Sequence, residues 1–458
     1  MANNRVFYAA KKVGLGPLGS AGGNDAEGNA NGDQGSTETG GQFRQLHGIQ
    51  SVGITTTFNL EQTFELGQLA IYENIEGIPD VSIDIEKVLD GYCPVYVLAT
   101  SINGDGAGST ADDKSTAATL VGRSKARADF VMAIFKDTDL IADNLASATK
   151  SIVNNTTASG YVEQPESHVV CSGVYVNSVS YNVGIDGYAT ESVTLVGQDK
   201  IWYSLESTPN FKKAVWSNTD LINAEDQPKA LTQGSGGANR REDVLFVYPG
   251  NNGRTLGSRD INGAVSGLGT VLPIQIPGIS ASGTNDKKRG VFGTHIQSFS
   301  CSTDLGREDI FELGRRGRYH RFVPFPTEVT CEITCISTSG DLIIATEEGA
   351  VDPANGANLL HESIRLHLRE GLLVDLGKKN KLASVSVTGG DAGGGNEEIT
   401  YSYTNFNDFT VYHPQDPNFK RPIGAATEGG TGLATYKSNT FTPRDGRCPG
   451  ARTAHANI

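Results

Sequence analysis

The sequence predicts a mainly β fold of the α+β type, made of two tandem β-sandwich or barrel-like domains that each carry at most one flanking helix. The chain contains 56 Gly but only 2 Met and 2 Trp, with many Thr, Ser and Val residues. This composition favours turn-rich β structure over a helical bundle. A chain of 458 residues also exceeds what one hydrophobic core normally supports. Residues 49–79 and 296–326 are two copies of one motif.

The repeat becomes visible when Ile49 is set against Ile296 and the alignment runs without a gap to Pro79 and Pro326. Eleven aligned pairs are identical, whereas unrelated segments of this length would share roughly two. The identical pairs are Ile49/Ile296, Gln50/Gln297, Ser51/Ser298, Thr56/Thr303, Glu61/Glu308, Phe64/Phe311, Glu65/Glu312, Leu66/Leu313, Gly67/Gly314, Tyr72/Tyr319 and Pro79/Pro326.

Each copy predicts a strand, an irregular loop and a second strand. Residues 52–60 and 299–305 alternate between larger and small or polar side chains, which is the period of a half-buried strand. The motif Phe-Glu-Leu-Gly follows, then the loop with the repeated tyrosine, then a proline and a second alternating run that begins at Val81 or Val329.

A second pair of strands is predicted downstream in each half. In the first half, residues 175–183 and 191–196 flank Asp186-Gly187, which is a strong hairpin signal. In the second half, residues 382–387 and 397–406 flank a glycine-rich arm at 388–396, which is long enough to reach a neighbouring molecule.

One amphipathic helix is predicted over Ala118–Phe135, because its apolar residues recur at spacings near 3.6. Residues 358–368 fit either a helix or a strand. The predicted domains are residues 1–205, with a Gly-rich loop at 16–41, and residues 291–413. Residues 206–290 form a polar connector and residues 414–458 a C-terminal arm.

Charge and cysteine content narrow the class of protein. The formal net charge of −14 argues against a protein whose main task is to grip DNA phosphates. The six cysteines are too few and too scattered for a disulfide framework, so we expect them to be reduced. Neither a secretion signal nor a membrane span is indicated, so we expect a protein made in the cytosol.

Catalytic and metal-binding motifs are not evident in the sequence. It contains neither a phosphate-binding G-x-x-x-x-G-K-[ST] loop nor a G-x-S-x-G nucleophile motif. His361 and His367 are six positions apart, instead of the four that place two ligands on one helical turn. Cys331 and Cys335 would share a strand face but lie roughly 13 Å apart, so we expect core packing. We predict no enzyme activity, no cofactor and no metal site.

The candidate interface residues lie in and after the Phe-Glu-Leu-Gly motif. Gly67 and Gly314 are expected to permit a turn, and Glu65 and Glu312 to accept loop amides or meet an arginine. The candidates are Glu65, Gly67, Tyr72, Glu312, Gly314, Arg315, Arg316, Arg318 and Tyr319.

The basic run at 315–321 interleaves arginines with an aromatic residue, a pattern that suits nucleic acid. The corresponding segment of the first copy, residues 68–74, has no arginine. This asymmetry favours a charge-complementary contact between subunits over a DNA contact, although both interpretations stay open.

These motifs resemble those of bacteriophage tail tube proteins. The resemblance lies in residues 49–54, 64–72, 178–182 and 189–197, and again in 305–309, 311–314 and 325–329. It covers about residues 45–205 and 290–415. It implies β domains that join their sheets around a ring, with rings stacked into a hollow tube that conducts the genome. With two domains per chain, three chains would supply the six units of a pseudo-sixfold ring.

The resemblance also implies partners and a location. The chain would bind copies of itself, the tape measure, the tail terminator and the distal tail protein. It would belong to the virion, be assembled in the host cytoplasm and let genomic DNA pass without specific binding. An acidic lumen would serve that passage. Alternatives are another virion ring or decoration protein, or less favourably a β-sandwich carbohydrate-binding module or enzyme.

Overall fold

The computed structural model describes 19 stretches of the chain. They are residues 11–17, 44–67, 69, 71–90, 92–100, 119–134, 167–204, 238–241, 244, 296–314, 317–336, 340–341, 343–352, 357–358, 361, 364–368, 372–377, 379–389 and 395–412. Several predicted features lie wholly or mostly outside these residues, namely the Gly-rich loop, most of the connector, the centre of the glycine-rich arm, Arg315, Arg316 and the C-terminal arm. The side chain of Tyr72 is also not described.

The described residues of the first half form ten strands and two short helices. The strands are β1 (Lys11–Pro17), β2 (Arg44–Gln45), β3 (Ile49–Thr57), β4 (Leu60–Phe64), β5 (Ile71–Glu76), β6 (Asp80–Val88), β7 (Ala128–Ile134), β8 (Ser167–Gly184), β9 (Thr190–Gly197) and β10 (Ile201–Ser204). The helices are α1 (Val95–Ala99) and α2 (Leu120–Arg123).

The second half contributes only strands among its described residues. They are β11 (Ile296–Asp304), β12 (Glu308–Ile310), β13 (His320–Phe322), β14 (Glu328–Ile336), β15 (Ile344–Thr346), β16 (Gly349–Asp352), β17 (Ala357–Asn358), β18 (Arg365–His367), β19 (Leu373–Asp375), β20 (Lys381–Thr388), β21 (Glu398–Phe406) and β22 (Thr410–Tyr412). The mainly β prediction is confirmed. In the segment 358–368, which sequence left between helix and strand, Asn358 ends β17 and Arg365–His367 forms β18.

A 12-stranded sheet forms the centre of the molecule. Eight of its strands run side by side in the order β3-β6-β9-β8-β11-β14-β21-β20, and each neighbouring pair is antiparallel. The central pair joins β8 of the first half to β11 of the second. The two halves therefore share one continuous sheet, a connection that the prediction of two separate domains did not include.

The eight strands divide into two groups with the same internal order. The first group, β3-β6-β9-β8, has β-bulges between Ile49 and Ser51 and between Val176 and Ser178. The second group, β11-β14-β21-β20, has bulges between Ile296 and Ser298 and between Leu382 and Ser384. A β-bulge shifts the pairing of two neighbouring strands by one residue at the place where it occurs. Bulges at matching positions therefore leave the two groups with the same register. The residue limits of the domains stay a prediction.

One face of this sheet packs against the main hydrophobic core. The inward residues of the central strands, such as Ile83, Leu195 and Ile333, are fully buried. Helix α1 and the small sheet β18-β19-β22 supply core residues on the other side. Phe409 joins these layers, since its ring lies 5.7 Å from that of Tyr96 in α1 and 6.3 Å from that of Tyr181 in β8. The core therefore lies between the shared sheet and its cover.

A buried carboxylate fixes α1 on this core. Glu191 in β9 accepts hydrogen bonds from the backbone amides of Val95 (2.7 Å) and Tyr96 (3.1 Å), and from the Tyr181 hydroxyl (2.9 Å). Desolvation raises the pKa of Glu191, although these donors oppose the shift. The carboxylate satisfies amides at the start of α1 that have no partner within the helix.

The helix predicted over Ala118–Phe135 is wrong. Within residues 119–134, the described part of this range, only Leu120–Arg123 is helical, and Ala128–Ile134 forms strand β7. Six of the seven β7 residues are buried, so β7 lacks the alternation that marks a half-buried strand. A run buried on both faces cannot be told from a buried helix by periodicity alone.

The five described cysteines lie in the core. Cys93, Cys171, Cys301, Cys331 and Cys335 are buried, and none of them is joined to another in a disulfide. Burial raises the pKa of Cys335 to about 12 and that of Cys331 well above its usual value. The pair on β14 therefore packs in the core as expected, while Cys448 lies outside the described residues.

Candidate assembly interface

Each copy of the repeat forms a β-hairpin between its two main strands, where sequence predicted an irregular loop. In the first copy β4 pairs with β5, and in the second copy β12 pairs with β13. The registers match, because Glu61 lies opposite Ile75 and the corresponding Glu308 lies opposite Phe322. The Phe-Glu-Leu-Gly motif occupies the tip of each hairpin.

Both hairpin tips expose apolar side chains. Leu66 and Leu313 are fully exposed, and Phe64 and Phe311 are more than half exposed. Soluble monomers rarely present clustered apolar residues of this size unless something binds them. The tips are therefore candidate interaction surfaces.

The repeated glycines shape these tips through their backbone angles. Gly67 has φ +93° and Gly314 has φ +86°, both in the left-handed region that disfavours residues with a Cβ. No other group lies within 4 Å of where a Cβ would stand. Backbone conformation alone therefore requires glycine here. The adjacent Glu65 and Glu312 are exposed.

An ionic cluster binds the second hairpin to the first half of the chain. Arg318 contacts Asp80 at 2.6 Å and Asp309 at 2.5 Å, and Arg321 contacts the same two carboxylates at 2.7 and 2.8 Å. Both arginines are under 10% exposed. The Arg318 guanidinium also donates to the carbonyl of Pro79. The charge-complementary contact that the sequence favoured between subunits is, for Arg318, made within the chain.

Aromatic and cationic side chains extend this junction. The His320 ring in β13 meets the Tyr175 ring edge-on, with centroids 5.9 Å apart, and the Tyr175 hydroxyl lies 3.4 Å from His320 Nδ1. Arg307 stacks over Tyr175 at 4.7 Å and donates to the carbonyls of Val176 and Ser124. Burial lowers the pKa of Arg307 to about 10, and the carbonyls and the ring compensate its charge. Tyr319, next to Arg318, is half exposed.

The sheet face opposite the core is polar and acidic. Its strand positions carry mostly Ser and Thr, which pair across strands, as in Ser302–Thr330 at 2.9 Å and Thr334–Thr400 at 3.1 Å. Among the described strand residues of this face, Lys381 at the start of β20 is the only Lys or Arg. The exposed carboxylates of the face are Asp84, Glu86, Asp304, Glu328, Glu332 and Glu398.

The two ends of the eight-stranded order are open. Within the described part of the chain, β3 pairs only with β6, and β20 pairs only with β21. β3 has no charged residue and β20 has only Lys381. Edge strands usually carry charges, prolines or covers that prevent pairing with another chain. These two edges have the character of strands that accept a partner.

Only part of this candidate interface was predicted from the sequence. The hairpin tips and Arg318 were identified from the repeat. Asp80, Asp309 and Tyr175 were missed, because each gains its role only from residues distant in the chain. Among the described residues, no group of His, Cys, Asp or Glu has an arrangement that could hold a metal ion. None of the described helices has the length and hydropathy to cross a membrane.

Comparison with known proteins gives only distant structural likenesses. No protein family matches the sequence, and no curated protein matches it significantly. The chain is similar to a structure of a contractile injection system sheath-tube complex, with 9% identity, a TM-score of 0.25, and coverage of 44% of this chain and 95% of that one.

Two further likenesses are to the anti-feeding prophage. Its tube-terminating cap gives 8% identity and a TM-score of 0.25, covering 44% of this chain and 94% of that one. Its baseplate gives 11% identity and a TM-score of 0.26, covering 45% and 99%. TM-scores at this level support no inference about what this chain does.

Proposed function

We propose that the chain is a structural subunit of a bacteriophage tail tube, in which copies join edge to edge into rings and the rings stack around a channel for DNA. The acidic face of the eight-stranded sheet, whose described carboxylates are exposed, carries this proposal. That face would line the channel, while the core and its cover would lie outside. A wall of hydroxyls and carboxylates repels phosphates and offers them almost no cation, so DNA would slide without sticking.

The number of strands supports a ring of three chains. Three chains would contribute 24 strands, three times eight. With strands about 4.8 Å apart and tilted by about 40°, such a barrel would measure roughly 45–50 Å between backbones, or roughly 35–40 Å between side chains. This channel admits a DNA duplex about 20 Å wide. One chain alone, with eight strands, would close on a space filled by side chains.

The hairpin tips supply a surface for stacking. The tip of the second hairpin stays exposed although its base is bound to the first half of the chain by the ionic cluster. Contacts within a ring therefore leave Leu313 and Phe311 uncovered, and the first hairpin repeats the same tip. Each ring would present six such apolar tips to the next ring.

Electron microscopy and mass measurement of the purified full-length protein test the proposal. The expected result is hollow tubes or rings with three chains each. A monomer at all concentrations would overturn the tube function, and six chains per ring would overturn the trimeric stoichiometry. Rings that never stack under any condition would favour a terminator or another single-ring virion part.

A further inference from the structure

The junction between the two halves shows how one edge of this sheet pairs with another. Within the chain, β8 pairs with β11 over seven residue pairs, with Ser180 opposite Ser302 and Tyr181 opposite Cys301. This is an antiparallel edge-to-edge contact that leaves the sheet continuous. It shows which register the last strand of one group adopts with the first strand of the next.

The outer edges are built from the strands that correspond to this pair. β8 corresponds to β20, because each has a bulge at the matching place, between Val176 and Ser178 and between Leu382 and Ser384. β11 corresponds to β3, because the two strands are the same part of the sequence repeat and have bulges after Ile296 and Ile49. The open edges are therefore a second β8-like strand and a second β11-like strand, on opposite ends of one sheet.

We infer that β20 of one copy pairs with β3 of the next copy in the register that β8 and β11 use within the chain. The inference rests on the proposed function and specifies its ring contact. Transfer of the in-chain register places three central pairs across the boundary between copies: Ile54 opposite Val387, Thr55 opposite Ser386 and Thr56 opposite Val385.

The pattern of side chains supports this register independently. Ile54 and Val387 both lie on the core face, because they pair with Ile83 and Ile399 in their own sheets. Val387 is 49% exposed in the single chain, and the contact would cover it. A slip of one residue would set core-face residues of one strand against channel-face residues of the other, so such a register is disfavoured.

The hairpin of the next copy supplies a matching charge pair. In the chain, Tyr175 of the first half meets His320 of the second hairpin. The corresponding residues at the outer junction are Lys381, at the start of β20, and Glu73, in β5. Both are at the surface, and they bear opposite charges. The pair would therefore close the outer junction where an aromatic contact closes the inner one.

The ionic cluster, in contrast, exists at only one kind of junction. At the outer junction the positions of Arg318, Arg321, Asp309 and Asp80 are held by Ile71, Asn74, Gln62 and Glu328. If the first hairpin of another molecule lay against Asp80, it would place no arginine beside that carboxylate. This difference favours strict alternation of first and second units around the ring.

Disulfide trapping tests the register. The paired variant Thr55→Cys with Ser386→Cys, in a Cys448→Ser background, is assembled and oxidised with copper–phenanthroline. Covalent dimers and trimers are expected on non-reducing gels. The off-register pair Thr55→Cys with Thr388→Cys should give little product. Ser180→Cys with Ser302→Cys is the matched control within one chain and should close without forming multimers.

The outcomes separate this inference from the proposed function. Suppose that microscopy shows rings but the off-register pair gives more disulfide-linked multimer, or neither pair gives any. Either result would overturn the register and leave the tube function standing. Absence of rings in the unmodified protein would overturn both.

Charge reversal gives a second readout that needs no cysteine. Glu73→Lys and Lys381→Glu should each weaken association of copies by about 2- to 5-fold, as expected for an exposed ion pair, and the double reversal should restore it. If the single variants weaken association equally and the double variant weakens it further, Glu73 and Lys381 do not form an ion pair between copies.

Discussion

Arg318 and Asp80 form an ion pair of 2.6 Å between the two halves of the chain, 238 positions apart. The arginine is almost fully buried, while the aspartate side chain is 43% exposed. The contact orients the second hairpin over the end of the shared sheet. It therefore couples the position of one hairpin tip to the junction between the two halves of the chain.

Replacement of Arg318 should destabilise this junction. Arg318→Ala removes one of the two arginines that contact Asp80 and Asp309 and leaves Arg321 in place, and we expect a loss of about 1–3 kcal/mol in the free energy of unfolding. Arg318→Lys should also lower the free energy of unfolding, but by less than Arg318→Ala, because an ammonium cannot hold two carboxylates in the same fork geometry. Urea unfolding measures both. The exposed Arg241 provides the control, and an Arg318→Ala protein as stable as Arg241→Ala would contradict the prediction.

The apolar tips should be needed for stacking and dispensable for folding. Leu66→Asp and Leu313→Asp place charges on side chains that are fully exposed in the single chain, so the fold should keep its unfolding midpoint. Burial of one leucine in a contact contributes about 1.5–3 kcal/mol, and each ring would lose several. Microscopy should then show rings without tubes. Val121→Asp changes an exposed valine in α2 and should leave tubes intact; tubes of normal length from the leucine variants would exclude this role.

Positive charge on the acidic face should convert a non-binding wall into a DNA-binding one. The double variant Asp84→Lys with Glu332→Lys should still assemble, because both side chains are exposed. Its assembled form should bind duplex DNA, with an affinity that falls steeply with salt. The matched control, Glu347→Lys with Glu348→Lys, makes the same change in charge on an exposed turn of a different sheet, β15-β16-β17, and should bind far less. Equal binding by both variants would place the acidic face outside the channel.

His168 should make the stability of the fold sensitive to mild acid. It is 1% exposed in β8, and burial lowers its pKa from 6.5 to about 4. Between these pH values His168 binds a proton in the unfolded chain but not in the folded chain. The contribution of neutral His168 to the free energy of unfolding is therefore fully present above pH ~6.5 and is lost as the pH falls towards 4. The difference corresponds to about 3 kcal/mol.

Unfolding free energies at several pH values between 4.5 and 7.5 measure the effect of His168. His168→Leu should show a flatter pH dependence than the unsubstituted protein, whatever its absolute stability. His361→Leu, which changes an exposed histidine, should keep the original slope. Parallel curves for the unsubstituted protein and His168→Leu would show that this group does not titrate as the buried position implies.

The sequence by itself determined the strands that alternate and the turns that need glycine. The period-2 runs after Ile49 and Ile296 became β3 and β11, and Gly67 and Gly314 adopt the left-handed conformation, because these features depend on a residue's own backbone and its near neighbours. The same local logic failed at Ala128–Ile134, where burial on both faces removed the alternation that identifies a strand.

Only the tertiary structure decided which distant groups meet. Asp80 has no local pattern that marks it as the partner of Arg318, and the pairing of β8 with β11 depends on how two halves of the chain align. The polar residues of the strands were visible in the sequence, but their collection on one uncovered face required the order and register of eight strands. Long-range pairing sums many weak contacts across the whole chain, and that sum cannot be read from any single segment.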